Sequence, residues 1–432
     1  MSIQKTFAKY VSQNILGMIG ISLYILADTF FISRAEGANG ITALNLVLPL
    51  YSLIFAIGAM IGVGSAIRFK IMRARKDKSG ERYFSNAVIW ALFIGILFML
   101  VGGFFPGKLV SLLGGDAVIV KIGTDYTRIF MLFTPFFMWN HICNAFVRND
   151  GAPTVAMAAT LCSSLFNIVM DYVLMFPLGM GMIGAALATA VSPIVGILIC
   201  CIHFFSKKNT IRFVWCVPSF IQLVKSCQLG VSAFIGELSS GVTTMVFNML
   251  ILKLAGNIGV AAYGVIANTS LVAVAVFNGV GQGSQPLFSE LYGKGKRSEM
   301  KTVLGMSITT AIVLAVVMIL LIQCLAAGVV SIFNGEANAE MAEYAVRGLK
   351  LYFLGFLFAG FNIVGTGYLS AIESAKWAFF ASILRGVVAI IICAVVLSIL
   401  LGITGVWLAF PVAELITAAV TCFAIFNSFR KK

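Results

Sequence analysis

The chain has 432 residues, of which 60% are hydrophobic and only 11% are charged. Soluble domains contain about 45–50% apolar and about 25% charged residues, so this composition excludes a soluble protein and indicates an integral membrane protein. The net charge of +14 does not indicate a nucleic-acid partner, because the lysines and arginines gather in the short segments between apolar runs.

Twelve apolar runs follow one another along the chain, and each is long enough to cross a bilayer as a helix. About 20 residues are needed for roughly 30 Å of hydrocarbon, and a helix satisfies its own backbone hydrogen bonds there. The predicted spans are 14–33, 44–67, 86–105, 126–147, 155–177, 182–205, 227–252, 260–286, 302–325, 348–370, 378–400 and 405–428. The loops between them are short, so the sequence predicts an all-α membrane protein without a soluble domain.

The basic residues predict how the spans are oriented. With the N-terminus inside the cell, 22 of the 30 lysines and arginines fall in cytoplasmic segments and seven fall in external ones. This positive-inside bias predicts a multi-pass protein of the cell membrane with both termini in the cytoplasm. The nine cysteines form no disulfide pattern, and His141 and His203 have no metal-ligand spacing, so no metal or organic cofactor is expected.

The two halves of the chain resemble each other at a nearly constant offset of 219 to 221 residues. The matching pairs are Gly37 and Gly256, Gly40 and Gly259, Ala43 and Ala262, Gly62 and Gly281, Gly64 and Gly283, Gly181 and Gly402, and Gly184 and Gly405. Six spans per half is an even number, so both halves enter the membrane in the same orientation. The sequence therefore predicts a parallel internal repeat, as in some secondary transporters.

The repeat predicts three parts of the chain. They are an N-terminal six-helix lobe at 1–205, a basic cytoplasmic linker at 206–225 and a C-terminal six-helix lobe at 226–432. Two similar bundles with a cleft between them suit alternating access, in which a central site opens to one side of the membrane at a time. A duplicated scaffold without transport is the alternative.

Two aspartates lie inside long apolar runs. Asp28 is in ISLYILADTFFI and Asp171 is in FNIVMDYVLMF, where a carboxylate costs about 2.5–3.5 kcal/mol on insertion scales. Both spans run outward, and each aspartate is six residues from the outer end, or about 9 Å below the boundary. Equal depth predicts that the two side chains meet across neighbouring helices, either as a functional pair or as polar contacts that hold helices together.

Three polar residues are predicted to surround this pair. Tyr24 and Asn167 each precede an aspartate by four residues, so each shares a helix face with it. Thr189 is seven residues into the sixth span from the same side of the membrane and can join them. Burial and like-charge repulsion both oppose a second negative charge, so at least one carboxyl group is expected to bind and release a proton near neutral pH.

Three motifs resemble the multidrug and toxic compound extrusion (MATE) family. They are ADTFF in the first span, NIVMDY in the fifth and GVGQGSQPLFSELYGKGK after the eighth. The resemblance covers the whole chain and is nearest to the bacterial and archaeal branch, whose proton site lies in the N-terminal lobe. It implies that Asp28 and Asp171 are the protonation pair, that Tyr24, Asn167 and Thr189 are their hydrogen-bonding partners, and that Asn144 is a further site residue.

The second half carries acidic residues of a different kind. Glu237 is in the seventh span, where sodium-coupled and eukaryotic members of the resembled family have a functional glutamate. The sodium-coupled branch also has an acidic residue in the tenth span, where this chain has Ala359. This difference disfavours a sodium site in the C-terminal lobe. Glu237 therefore remains either a substrate or secondary ion site or a structural residue. Glu414 is expected to pair with Arg385 in a structural role.

The sequence predicts a secondary antiporter rather than an enzyme. It would export small amphipathic organic cations in exchange for protons, with sodium as the open alternative, and it would act as a monomer in the lipid bilayer. Because no nucleotide-binding motif is present, ATP is not expected to drive transport. The runner-up is a lipid-linked oligosaccharide flippase of the same superfamily. An intramembrane aspartyl protease is disfavoured, because neither aspartate has a Gly-Asp context.

Overall fold

A computed structural model describes residues 2–215, 217–334 and 338–430. Within these residues the regular structure is helical and no strand occurs. The α-helices are α1 (Ile3–Ala74), α2 (Arg82–Phe104), α3 (Pro106–Leu112), α4 (Ala117–Leu132), α5 (Thr134–Asn149), α6 (Pro153–Met175), α7 (Gly181–Phe204), α8 (Phe220–Gly293), α9 (Arg297–Phe333), α10 (Ala339–Tyr352), α11 (Phe356–Ala371), α12 (Ala375–Ile383), α13 (Ala389–Leu401) and α14 (Ile403–Arg430). The predicted all-α fold is confirmed.

The twelve predicted spans are found, one of them in two pieces. Among the described residues, ten helical stretches are long and apolar enough to cross a membrane, and Gly256 divides one of these, α8, into two spans. The remaining predicted span, the fourth in chain order, consists of α4 and α5, which are separated at Phe133. Pro135 lies at the start of α5 and has no backbone N–H to donate to the preceding turn, so the helix is interrupted there. The predicted span 126–147 crosses this break.

The internal repeat is visible in the backbone. Gly37 bends α1 with φ 62° and ψ −149°, and Gly256 bends α8 with φ 61° and ψ −157°. Gly181 and Gly402 likewise share a positive φ, of 50° and 60°. These conformations are nearly restricted to glycine, so the matching glycines mark equivalent bends in the two halves. The predicted internal repeat is confirmed at these positions.

The chain divides into two compact units by its contacts. The first unit is Ser12–Glu237 with Ser289–Gly295, and the second unit is Met1–Val11 with Leu238–Phe288 and Lys296–Lys432. The lobe boundaries at 205 and 226 stay a prediction.

An aromatic cluster packs the interior of the first unit. The Tyr51 ring stacks on Phe55 and Phe130, with centroids 4.3 and 4.6 Å apart, and Phe137 lies 5.0 Å from Phe130. Lipid tails are as apolar as these rings, so dispersion between closely packed side chains, rather than removal from water, stabilises such a cluster in a membrane. The cluster holds the second part of α1 against α4 and α5.

Equivalent glycines lie close to backbone atoms of a neighbouring helix in both units. A Cβ atom added to Gly64 would lie 1.9 Å from the carbonyl oxygen of Ser226, and one added to Gly230 would lie 1.9 Å from that of Met60. In the second unit, a Cβ at Gly283 would lie 2.8 Å from Cα of Val11. Such small-residue crossings let helix backbones touch, which is a principal source of helix association in membranes.

Candidate functional site

The two predicted aspartates meet inside the first unit. Asp28 on α1 is 9% exposed and Asp171 on α6 is fully buried. The two carboxyl groups lie close enough to interact with each other. Ionised carboxylates can only accept hydrogen bonds, so a hydrogen bond between these two groups would require a proton on one of them. The structure thus brings together the two residues that the sequence singled out. Their role in coupling stays a prediction.

Asn167 and Thr189 extend this site from α6 to α7. The hydrogen-bonding pattern orients the Asn167 amide so that its nitrogen donates to Asp171 Oδ2 at 3.2 Å. Its oxygen accepts from the backbone N and Oγ1 of Thr189 at 3.3 and 3.2 Å. Both side chains are buried. The two residues therefore lie where the sequence placed them, and Asn167 fixes one oxygen of Asp171.

One carboxyl oxygen of each aspartate is unpaired. Asp28 Oδ1 and Asp171 Oδ1 are buried and have no hydrogen-bond partner among the described residues. Buried polar atoms are paired in the large majority of cases, so two unpaired oxygens in one site call for an explanation. They are the positions at which a further proton or a cation can be accepted.

Tyrosine hydroxyls form the other side of the site. Tyr24 is half-buried, and its hydroxyl lies 3.5 Å from that of Tyr51. Tyr126 on α4 is buried within electrostatic range of both aspartates. Sequence reasoning found Tyr24 through its spacing from Asp28 but missed Tyr51 and Tyr126. Their only signal was a hydroxyl in an apolar stretch, and no local spacing links them to either aspartate.

Asn144 is not part of this site. It donates to the carbonyl oxygen and to Oδ1 of Asn140 at 3.1 and 3.0 Å, and it accepts from Thr160 Oγ1 at 3.3 Å. Thr160 precedes Asp171 by eleven residues on α6, which corresponds to about 16 Å along the helix. The structure therefore places Asn144 in a separate polar cluster, deeper in the bundle, and does not bring it to the aspartate pair.

Glu237 lies near the site but not in contact with the pair. Its side chain on α8 is exposed, and its charge is within electrostatic range of the Tyr24 hydroxyl. An exposed carboxylate close to a buried acidic site is suitably placed to meet a cationic molecule. Its function as a substrate or secondary ion site stays a prediction.

Comparison with known proteins places the chain in a family. A family model described as MatE matches residues 14–173 and 233–395, about three quarters of the sequence. The chain belongs to the MatE family. The resemblance seen in the three sequence motifs is confirmed, and with it a multi-pass membrane protein. This MatE chain is 27% identical over 414 residues to the Multidrug export protein MepA of Staphylococcus saprophyticus, covering 95% of this chain and 91% of the relative.

Solved structures show the same fold. A multidrug resistance MATE family transporter of the MOP superfamily, in an outward-facing conformation, matches this MatE chain with a TM-score of 0.92 at 21% identity, over 99% of this chain and 97% of the other. A MOP superfamily transporter from Pyrococcus furiosus, described as having a binding pocket of reversed polarity, matches with a TM-score of 0.90 at 20% identity over the same shares. At these identities the likeness concerns the fold.

The second unit of this MatE chain contains a buried charge pair. Arg385 Nε donates to Glu414 Oε1 at 2.7 Å, and Asn362 Nδ2 donates to Glu414 Oε2 at 2.7 Å. Arg385 lies in the π-helical turn Leu384–Val388, which separates α12 from α13. The pairing expected from sequence is thus present. Because the carboxylate is neutralised by the guanidinium, this site differs from the uncompensated aspartate pair of the first unit.

A structural role for this ion pair predicts a specific pattern of stabilities. Arg385→Met or Glu414→Leu alone leaves one buried charge unpaired and should destabilise the protein by about 3–5 kcal/mol, whereas the double variant removes both charges and should recover most of that loss. Thermal unfolding in detergent, followed by size-exclusion chromatography, measures this. A double variant that is as unstable as the single variants would contradict charge compensation as the role of the pair.

A second polar cluster was missed by sequence reasoning. The Asp150 carboxylate is fully buried and accepts hydrogen bonds from Arg73 Nη1 and from the backbone N of Thr210 at 2.8 Å, and it lies 2.8 Å from His203 Nε2. These contacts tie together the ends of α1, α5 and α7. Within the described residues no group of three metal-ligating side chains occurs.

Proposed function

We propose that this MatE protein is a secondary multidrug exporter that expels amphipathic organic cations across the cell membrane in exchange for protons. The observation that carries the proposal is the neighbouring pair of Asp28 and Asp171, buried in apolar helices with two carboxyl oxygens unpaired. Family membership supports a transporter rather than an enzyme. The name of the staphylococcal relative, Multidrug export protein MepA, supports the substrate class.

The charge of the aspartate pair supplies the coupling. With one shared proton the pair carries a single negative charge and attracts an organic cation. A second proton from outside neutralises the pair, so the cation is released, and loss of that proton to the cytoplasm restores the attraction. A unit charge about 6 Å from a cation, at an effective dielectric constant of about 20, contributes about 3 kcal/mol. This is roughly a hundredfold in affinity.

The neighbouring side chains make the two protons inequivalent. Asn167 donates to Oδ2 of Asp171, which leaves Oδ1 to take up the second proton. Thr189 donates to the Asn167 oxygen and so keeps the amide nitrogen directed at Asp171. Glu237 is a further acidic group near Tyr24 that could attract a cation. No cofactor is required beyond the coupling ion, and we propose a monomer as the working unit.

Transport into inverted membrane vesicles tests the proposal. We expect ethidium to accumulate when the vesicle interior is made acidic, to leave when a proton ionophore is added, and to respond little to a sodium gradient of equal size. Accumulation driven by sodium alone would contradict the proton assignment. Absence of ethidium transport under both gradients would contradict organic-cation export, and the flippase alternative would then be tested with a lipid-linked oligosaccharide.

A further inference from the structure

Glu36 occupies an unfavourable position in its own helix. It is the last residue before the bend at Gly37, so its carboxylate lies at the C-terminal end of the first part of α1. A negative charge at a helix C-terminus is destabilised by the helix dipole. Glu36 is also eight residues, or about two turns, beyond Asp28 on the same helix.

The structure shows what this carboxylate contacts. Oε1 of Glu36 accepts a hydrogen bond from the backbone N of Met182 at 3.2 Å. Met182 is the second residue of α7, where backbone N–H groups have no partner within their own helix and the dipole favours a negative charge. Glu36 therefore ties the outer end of one helix to the N-terminus of another.

Gly181 makes this contact sterically feasible. It begins α7 with a φ of 50°, and a Cβ atom added to it would lie 2.0 Å from Oε1 of Glu36. Any side chain at position 181 would therefore displace the carboxylate. The glycine serves both the backbone conformation and the approach of Glu36.

Comparison with the second half distinguishes the two roles of Gly181, which are its positive φ and the space it leaves for the Glu36 carboxylate. Gly402 is the equivalent of Gly181 and has a similar φ of 60°, but a Cβ atom added to it would meet nothing within 4 Å. The residue equivalent to Glu36 at the offset of 219 is Ala255, which has no carboxylate. The bend is thus repeated and the Glu36 contact is not. It is present only in the half that has the aspartate pair.

Two contacts connect α1 with α7, directly or through α6. At the outer end Glu36 accepts a hydrogen bond from Met182, and about two turns deeper Asp28 lies beside Asp171, which is linked through Asn167 to Thr189 on α7. We propose that Glu36 is a positioning residue for proton coupling. It holds the outer end of the first part of α1 on α7, so that Asp28 stays within hydrogen-bonding reach of Asp171. This inference rests on the proposed function.

The physical reason is the instability of free helix ends. The terminal turn of a helix opens with little cost in free energy unless its groups are tied down. With the Glu36 contact in place, a change in charge at Asp28 acts on α7 and on the packing of the bundle. Without the contact, a change in charge at Asp28 can instead open the outer turns of α1. The movement passed on to α7 is then smaller.

Four variants test this role: Glu36→Ala, Glu36→Gln, Gly181→Ala and the matched control Gly402→Ala. Hydrogen exchange in residues 29–37 of the purified protein reports the contact without any transport assay. Loss of a charge-assisted hydrogen bond corresponds to about a tenfold change in an equilibrium. We therefore expect exchange about tenfold faster in Glu36→Ala and Gly181→Ala, an intermediate value in Glu36→Gln, and the native rate in Gly402→Ala.

Ethidium uptake by the same variants reports the coupling. The maximal proton-driven rate should fall about tenfold in Glu36→Ala and Gly181→Ala, while the half-saturating ethidium concentration should stay within about twofold of the native value. Glu36→Gln retains an acceptor oxygen and should recover part of the rate. Gly402→Ala has the same backbone strain but no carboxylate to displace, so it should transport normally.

The outcomes distinguish this inference from the proposed function. Native exchange rates in Glu36→Ala would overturn the contact itself. Faster exchange with a native transport rate, or an equal loss in Gly402→Ala, would overturn the positioning role. If the native protein shows no proton-driven uptake although the exchange results are as expected, the proposed function fails and the coupling role fails with it, while the contact stands.

Discussion

Replacing Asp171 with asparagine is expected to reduce proton-driven ethidium uptake by about a hundredfold or more. Asparagine has the same shape and can still accept the hydrogen bond from Asn167, so the fold should be kept. It cannot bind or release a proton, so the charge of the site no longer changes during the cycle. The attraction that distinguishes the two charge states, about 3 kcal/mol at 6 Å, is then lost.

Asp28→Asn should have a comparable effect, because we propose that the two carboxyl groups share one proton. Initial rates of uptake into inverted vesicles, at equal amounts of inserted protein, provide the measurement. Asp125→Asn is a matched control, since Asp125 is exposed on α4 and pairs with the exposed Arg128 at 3.4 Å. Native uptake in both Asp28→Asn and Asp171→Asn would refute the mechanism. Loss in Asp171→Asn alone would assign the coupling to that residue.

Gly64→Ala is expected to have the largest effect on the folded protein. The added Cβ atom would lie 1.9 Å from the Ser226 carbonyl oxygen, where ordinary contact begins near 3.4 Å. The obstacle is backbone, which cannot rotate away as a side chain would, so the two helices must separate by about 1.5 Å. Overpacking of this kind typically costs 1–3 kcal/mol and can cost more. We expect a large loss of folded protein and of transport.

Gly305→Ala is the control for this prediction. Gly305 lies in α9, and a Cβ atom there would meet nothing within 4 Å. Alanine favours helix formation over glycine by roughly 1 kcal/mol, so this variant should be neutral or slightly stabilised. The yield of monodisperse protein and the thermal midpoint in detergent compare the two variants. Similar values for Gly64→Ala and Gly305→Ala would show that the crossing at Gly64 tolerates a side chain.

The helical spans could be predicted because, in a bilayer, each segment forms a helix on the basis of its own sequence. Backbone groups in hydrocarbon must be satisfied within a helix, so the length of an apolar run is sufficient. The interruption at Phe133 was missed although Pro135 is visible in the sequence. Pro49, Pro193 and Pro286 also lie in apolar runs, yet each is accommodated inside a helix. Neighbouring helices decide which proline breaks a span, and the sequence does not order them in space.

In the candidate site, too, residues set by one segment were predicted and residues brought in by other helices were not. Asp28 and Asp171 were predicted because each alone is costly in lipid, and Asn167 because four residues separate neighbours on one helix face. Tyr51 and Tyr126 were missed, because they reach the pair from other helices. Asn144 was assigned to the site by resemblance, but it bonds to Asn140 and Thr160 instead.

The sequence by itself determined that this is a twelve-span membrane protein with an internal repeat and two carboxylates inside apolar runs. Hydrophobic length, the position of glycines and the free-energy cost of a charge in lipid are properties of short segments. Only the tertiary structure decided that Glu36 reaches Met182, 146 residues away, and that Asp150 gathers Arg73 and His203. These contacts depend on which helices pack together, and that is set by side-chain shape across the whole bundle rather than by any local pattern.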